Sequence, residues 1–127
     1  MIDKIKKEGD FILHSGDKSD VLYDVLEVVG TKKFLNSFKK FIRKEEYLVG
    51  IEFGGAILAA MSGKPFGIVR KDGTVYGEIP NNYSIIDDVI TTGNSIESAI
   101  FRIQKRPKHV CCIVNRSSLD VHSMYEV

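Results

Sequence analysis

The sequence predicts an α/β fold, a mostly parallel sheet flanked by helices. Three observations carry that expectation. Four short apolar runs, "YLVGIEF", "PFGIVR", "YSIID" and "HVCCIV", read as buried strands. Segments of helical character separate some of them. The polar and glycine-bearing residues collect just after each run, as "EFGG", "RKDGTVYGE", "DDVITTGNS" and "NRSS". Strands alternating with helices build parallel sheets covered on both faces, and such sheets bind ligands at the carboxyl ends of their strands.

Taken in order, the elements justify themselves locally. Thr31 is placed to cap a helix over about 32–45, in which Phe34, Leu35, Phe38, Phe41 and Ile42 form one apolar stripe. Lys33, Lys39, Lys40, Arg43 and Lys44 lie largely off that stripe. No aromatics interleave with them, so they read as a solvated face rather than a phosphate or nucleic-acid patch. "GGAILAAMSG" follows the first strand as a tight turn into a short helix. Ile96, Ala99, Ile100 and Ile103 supply a second helical stripe between the third and fourth strands.

The bulk numbers narrow the class. The chain has 127 residues, suiting one domain over 1–127 with a single core, and its formal net charge is +1. That charge gives no field directed at nucleic acid or membrane. No apolar run approaches a membrane span, and "MIDKIKKEGDFILH" lacks the apolar centre of a signal peptide. Cys111 and Cys112 are adjacent. Strand neighbours point to opposite faces, so neither a disulfide nor a shared metal site is expected, and a reducing cytoplasmic setting fits.

The chemistry concentrates in "IIDDVITTGNS", residues 85–95. Asp87 and Asp88 are read as ending a strand. Two adjacent carboxylates repel, and burial without partners is costly, so they are expected to face water and accept hydrogen bonds. Sugar hydroxyls or a hydrated divalent cation would supply the donors. The turn that follows offers backbone N–H groups and the hydroxyls of Thr91, Thr92 and Ser95, and a helix N-terminus with free N–H groups suits phosphate. The plainer alternative is aspartate as strand terminator and Ser95 as an ordinary cap. The pair and the turn together, at this spacing after an apolar strand, point to a phosphorylated sugar.

"SIIDDVITTGNS" resembles the 5-phosphoribosyl-1-pyrophosphate (PRPP) motif of the type I phosphoribosyltransferases, most closely that of orotate phosphoribosyltransferases. "FILHSGDKSDVLYDV" (11–25) resembles that family's N-terminal base-holding segment. "VGIEFGGAILAA" resembles its pyrophosphate loop, and "GIVRKDGTVYGE" the start of its mobile catalytic loop. "CCIVNRSS" resembles the strand whose end carries an arginine that contacts orotate. The resemblance runs from about residue 11 to about 117. It implies the type I phosphoribosyltransferase fold with a small hood at about 1–30. It implies Mg2+-dependent transfer of ribose 5-phosphate from PRPP to a pyrimidine base, orotate first among them, in a homodimer.

The resemblance also assigns residues. Gly54, Gly55, Arg70, Lys71, Asp87, Asp88, Val89, Ile90, Thr91, Thr92, Gly93, Asn94 and Ser95 are expected to bind PRPP. Asp87, Asp88 and Lys71 are expected to act in catalysis, and Asp88 to meet Mg2+, directly or through water. His14, Ser15, Tyr23, Thr91 and Arg116 are expected around the base. Three departures stand out. Thr74 and Tyr76 fall where the family's loop has a further lysine and a histidine. Asn94 and Ser95 replace small residues of the phosphate turn. The chain is short after the arginine strand. These departures keep two rivals open: a PRPP- or nucleotide-binding sensor without catalysis, and a transferase for another base.

Overall fold

The computed structural model describes residues 2–13, 16 and 18–127. His14 and Ser15 therefore lie outside the described residues. A single helical turn, α1 (Ile2–Ile5), leads into an antiparallel hairpin of β1 (Lys6–Ile12) and β2 (Lys18–Tyr23). This hairpin falls within the span of about 1–30 expected to form the hood, and is called the hood below. A 3-10 turn at Val25–Glu27 and helix α2 (Lys32–Phe41) follow. Thr31 caps α2 as its position suggests: its Oγ1 accepts the N–H of Phe34 at 3.1 Å. The helix stops at Phe41, earlier than the expected 45, because Ile42 leaves the helical conformation and Glu45 turns inward.

The remaining strands form one six-stranded sheet in the order β5 (Val75–Tyr76), β4 (Phe66–Val69), β3 (Leu48–Ile51), β6 (Ser84–Ile90), β7 (Val110–Asn115), β8 (His122–Glu126). All neighbours are parallel except β4 and β5. The four expected strands are β3, β4, β6 and β7. Helix α3 (Gly54–Met61) follows β3, and α4 (Asn94–Ile103) links β6 to β7.

Two apolar clusters cover the two faces. Phe34, Phe38 and Ile42 of the α2 stripe pack with Leu58 of α3, Ile86, Cys111 and Ile113 on one face. Ile96 and Ala99 of α4 pack with Val49, Ile85 and Cys112 on the other. The paired cysteines thus divide between the faces, as strand alternation requires, and both thiols are free. Phe34 and Phe38 stack with centroids 5.7 Å apart. Each contributes about 1.5–3 kcal/mol by burial, which ties α2 to the sheet.

Three features differ from the sequence reading. First, β6 does not end at the aspartates: Asp87 pairs with Cys112, and the ladder runs on to Val89–Val114 and Ile90–Asn115. Partner strand β7 is long enough to continue the pairing, which local sequence does not reveal. Second, "RKDGTVYGE" is not an open loop. Arg70 N–H bonds to the carbonyl of Thr74 at 2.8 Å, Gly73 N–H to that of Arg70 at 2.9 Å, and β5 then pairs with β4. Third, "HSMYE" forms β8, a further parallel edge strand, where the sequence suggested only a short tail.

A carboxyl-end cleft between sheet and hood

Local constraints place the aspartates. A Cβ on Gly54 would lie 2.3 Å from Asp88 Oδ2, and one on Gly55 would lie 2.4 Å from the carbonyl oxygen of Ile86. Only glycines allow the start of α3 to rest against β6 this closely. The sequence reading gave both glycines to a ligand; their absent side chains first make room for β6. The Asp88 carboxylate therefore sits against the backbone of Gly54, with its Oδ1 accepting Val89 N–H at 2.9 Å.

Asp87 departs from expectation: it is 8% exposed, rather than open to water. Its Oδ1 accepts Asp88 N–H at 2.8 Å. Burial first, then the neighbouring Asp88 charge, pushes its carboxyl well above the usual range. Asp87 thus holds its proton more readily than an exposed aspartate.

Beyond Ile90 the chain turns into α4. Gly93 is the N-cap, with φ +88°, a left-handed conformation that glycine adopts at little cost. Thr92 Oγ1 accepts Asn94 N–H at 3.3 Å. Gly93 has no side chain to cap α4, so apart from the Asn94 N–H that Thr92 takes, the leading N–H groups of the helix keep their capacity for an anion.

The hood completes the enclosure. Arg116, just past β7, donates to the carbonyl of Val21 at 3.0 Å and to Ser19 Oγ at 3.3 Å, and its guanidinium lies 5.2 Å from the centre of the Tyr23 ring. These contacts hold the β1–β2 hairpin over the ends of β6 and β7. Between hairpin and sheet lies a cleft of about 480 Å³, within the common range for small-molecule sites. Its sheet side is polar, formed by Gly54 and the whole of residues 87–95. Its hood side is apolar, formed by Ile12, Leu13, Leu22, Tyr23 and Leu26, with Arg116 between.

Most residues singled out in the sequence therefore meet in one place. Gly55, Arg70 and Lys71 do not line the cleft. Arg70 Nε lies 3.7 Å from Glu52 Oε2, and Lys71 N–H donates to Glu52 Oε1 at 2.8 Å. The tight β4–β5 turn keeps both residues at the sheet edge, on Glu52. The sequence reading missed the leucines of the hood wall and also Phe53, which is 59% exposed at the cleft. The available signal was an aromatic standing between the apolar run and the glycine pair.

The solved structures place this architecture. The orotate phosphoribosyltransferase of Aeropyrum pernix superposes with a TM-score of 0.72 at 26% identity, over 87% of this chain and 75% of that one. The adenine phosphoribosyltransferase of Rhodothermus marinus reaches 0.70 at 17% identity, over 99% and 96%. The orotate phosphoribosyltransferase of Mycobacterium tuberculosis H37Rv in complex with PRPP also reaches 0.70 at 17%, over 98% and 91%. The fold is that of the type I phosphoribosyltransferases. In sequence, the chain is 34% identical to the orotate phosphoribosyltransferase of Thermoplasma volcanium over 129 aligned positions, covering 87% of this chain and 77% of that protein. It is 33% identical to that of Picrophilus torridus, covering 78% of that protein. No family model matches the chain. It belongs to the orotate phosphoribosyltransferase family, a family of transferases.

Proposed function

We propose that this protein transfers ribose 5-phosphate from PRPP to orotate in a Mg2+-dependent reaction, giving orotidine 5′-monophosphate and pyrophosphate. The observation that carries the reading is the single cleft that gathers Asp87, Asp88, the 91–95 turn, Tyr23 and Arg116. The turn anchors the 5′-phosphate, and that remote binding energy orients the anomeric carbon. Asp88 accepts hydrogen bonds from the ribose hydroxyls, and its charge stabilises the cationic character that develops as the bond to pyrophosphate breaks. Burial and the neighbouring Asp88 charge raise the Asp87 carboxyl above its ordinary range, so ionising both members of the adjacent pair is disfavoured. The base enters against Tyr23 and the apolar hood wall; its ring nitrogen forms the new bond on the face opposite the departing pyrophosphate, which leaves with the C–O electron pair, and the nitrogen's proton passes to water.

The donor set suits a loosely held Mg2+. Among the described residues no cluster of three or more His, Cys, Asp or Glu side chains could hold a metal by itself. Asp88 offers one half-buried carboxylate at the cleft. One carboxylate plus water and substrate oxygens is the usual environment of Mg2+. Bound there, the ion would neutralise charge on the pyrophosphate.

One observation favours a second reading, a PRPP- or nucleotide-binding module without transfer: Arg70 and Lys71 stand outside the cleft. The deciding experiment incubates the protein with PRPP, Mg2+ and orotate, uracil or adenine in turn, and follows nucleotide formation and pyrophosphate release. Transfer to orotate alone supports the proposal. Transfer to another base reassigns the substrate, and PRPP binding without transfer to any base establishes the binding module. A homodimer in a reducing cytoplasmic setting, free of nucleic acid and membrane, belongs to the same reading. No helix among the described residues is long and apolar enough to cross a membrane. Sedimentation at micromolar concentration with PRPP present tests the dimer.

A further inference from the structure

Residues 116–121 return the chain from the end of β7 to the start of β8, and they also touch the phosphate turn. Asn115 ends β7 and is 3% exposed. Both polar atoms of its side chain bond this return. Nδ2 donates to the carbonyl of Leu119 at 3.0 Å, and Oδ1 accepts the N–H of Ser117 at 2.9 Å together with the Ser117 hydroxyl. Ser117 Oγ in turn accepts Leu119 N–H at 3.1 Å. Leu119 is thereby held on both its backbone groups. Its side chain reaches Gly93: a Cβ placed there would lie 2.5 Å from Leu119 Cδ1. Gly93 is the left-handed cap that sets the direction of the α4 N–H groups. Leu119 is nonetheless 44% exposed, so core burial alone does not account for how carefully its backbone is fixed.

We propose that Asn115 and Leu119 are positioning residues for the phosphate turn, Asn115 by fixing the 117–119 loop and Leu119 by packing on Gly93. The inference rests on the reading of residues 91–95 as the phosphate anchor. A turn that presents N–H groups to an anion works only while those groups keep one orientation, because misplacement of about 1 Å is costly. Leu119 does not line the cleft whereas Gly93 does, so it acts through Gly93 and not on substrate.

The test uses Leu119→Ala, which removes the contact while sparing the buried amide of Asn115, with Leu119→Met as the conservative variant. Two measurements are made on each: amide hydrogen exchange at residues 92–96, and calorimetric affinity for PRPP and for ribose 5-phosphate, both with Mg2+. In Leu119→Ala, exchange should quicken about tenfold through local opening of the turn. Affinity for both phosphosugars should fall about five- to tenfold through its misplacement, with the KM for the base unmoved. Leu119→Met should restore most of both. Unchanged exchange overturns the proposal. So does quickened exchange with unchanged ribose 5-phosphate affinity, and so does an equal loss for base and phosphosugar. If the unmodified protein binds neither phosphosugar, the transferase reading fails and the phosphate role falls with it, while exchange still decides whether Leu119 holds the turn.

Discussion

Gly54→Ala tests the geometry that places Asp88. The new methyl would lie 2.3 Å from Asp88 Oδ2, 2.5 Å from Cγ and 2.9 Å from Cβ. Ordinary contact begins near 3.4 Å, so the carboxylate must withdraw by about 1 Å, a displacement on the scale that costs about 100-fold in a positioned site. Rotating the side chain is insufficient, because Asp88 Cβ is itself too near; β6 or the start of α3 must move. Overpacking of this kind costs about 1–3 kcal/mol. Alanine's better helix propensity recovers up to about 1 kcal/mol in the first turn of α3. The net expectation is a loss of about 0–3 kcal/mol in stability and a much larger proportional loss in PRPP affinity and turnover. Gly30→Ala is the control, since nothing lies within 4 Å of its added Cβ; it should leave stability unchanged or improve it by up to about 1 kcal/mol. Thermal melts and calorimetry with PRPP and Mg2+ read both effects. PRPP affinity and melting temperature equal to those of the unmodified protein would show that Asp88 does not rest on Gly54, and would remove the structural basis for its role.

Asp88→Asn should weaken PRPP binding and blunt its Mg2+ dependence in a titration at fixed ligand; full retention of both contradicts the role given to Asp88. Asp87→Asn should stabilise the fold increasingly as pH rises. The native carboxyl titrates above its unfolded value, so the native state binds more protons in the window above pH 4, and stability falls as pH climbs through it; melts at pH 5 and pH 8 that show no such divergence refute the assignment. Glu45 behaves oppositely. Burial raises its pKa, but hydrogen bonds from Ser84 and His109 outweigh that and leave it lowered, so its contribution is present above the unfolded pKa of about 4.3 and lost as pH falls through the native value; Glu45→Gln should flatten the acid limb of a stability curve. Thiol reagents should label Cys112 slowly until the protein unfolds, since burial, then the Asp87 and Asp88 charges, push its thiol up to about 12; rapid native labelling would contradict that burial. Phe38→Ala should cost about 3–5 kcal/mol by denaturant melt, as a fully buried aromatic leaves a cavity.

What the sequence by itself determined was mostly local. The α2 stripe and its Thr31 cap, the four principal strands, the helical segment after Gly93 and the division of the two cysteines all follow from periodicity and capping, which act within a few residues. The 87–95 stretch was legible as a site because its hydroxyls, glycine and carboxylates are consecutive. Tertiary structure decided the rest, because the deciding contacts join residues far apart in the chain. Asp87 is buried only because β6 pairs onward with β7 past the aspartates. Gly54 is required only because Asp88, 34 positions later, lies on it. Arg116 reaches back 95 positions to Val21, turning a residue expected at the base into a clasp for the hood as well. The resemblance assigns Arg70 and Lys71 to pyrophosphate; in the structure a five-residue turn and the Glu52 carboxylate fix their backbone at the sheet edge, and neither lines the cleft. β8 escaped notice because an edge strand takes its pairing from its neighbour, and "HSMYE" carries no strong period of its own.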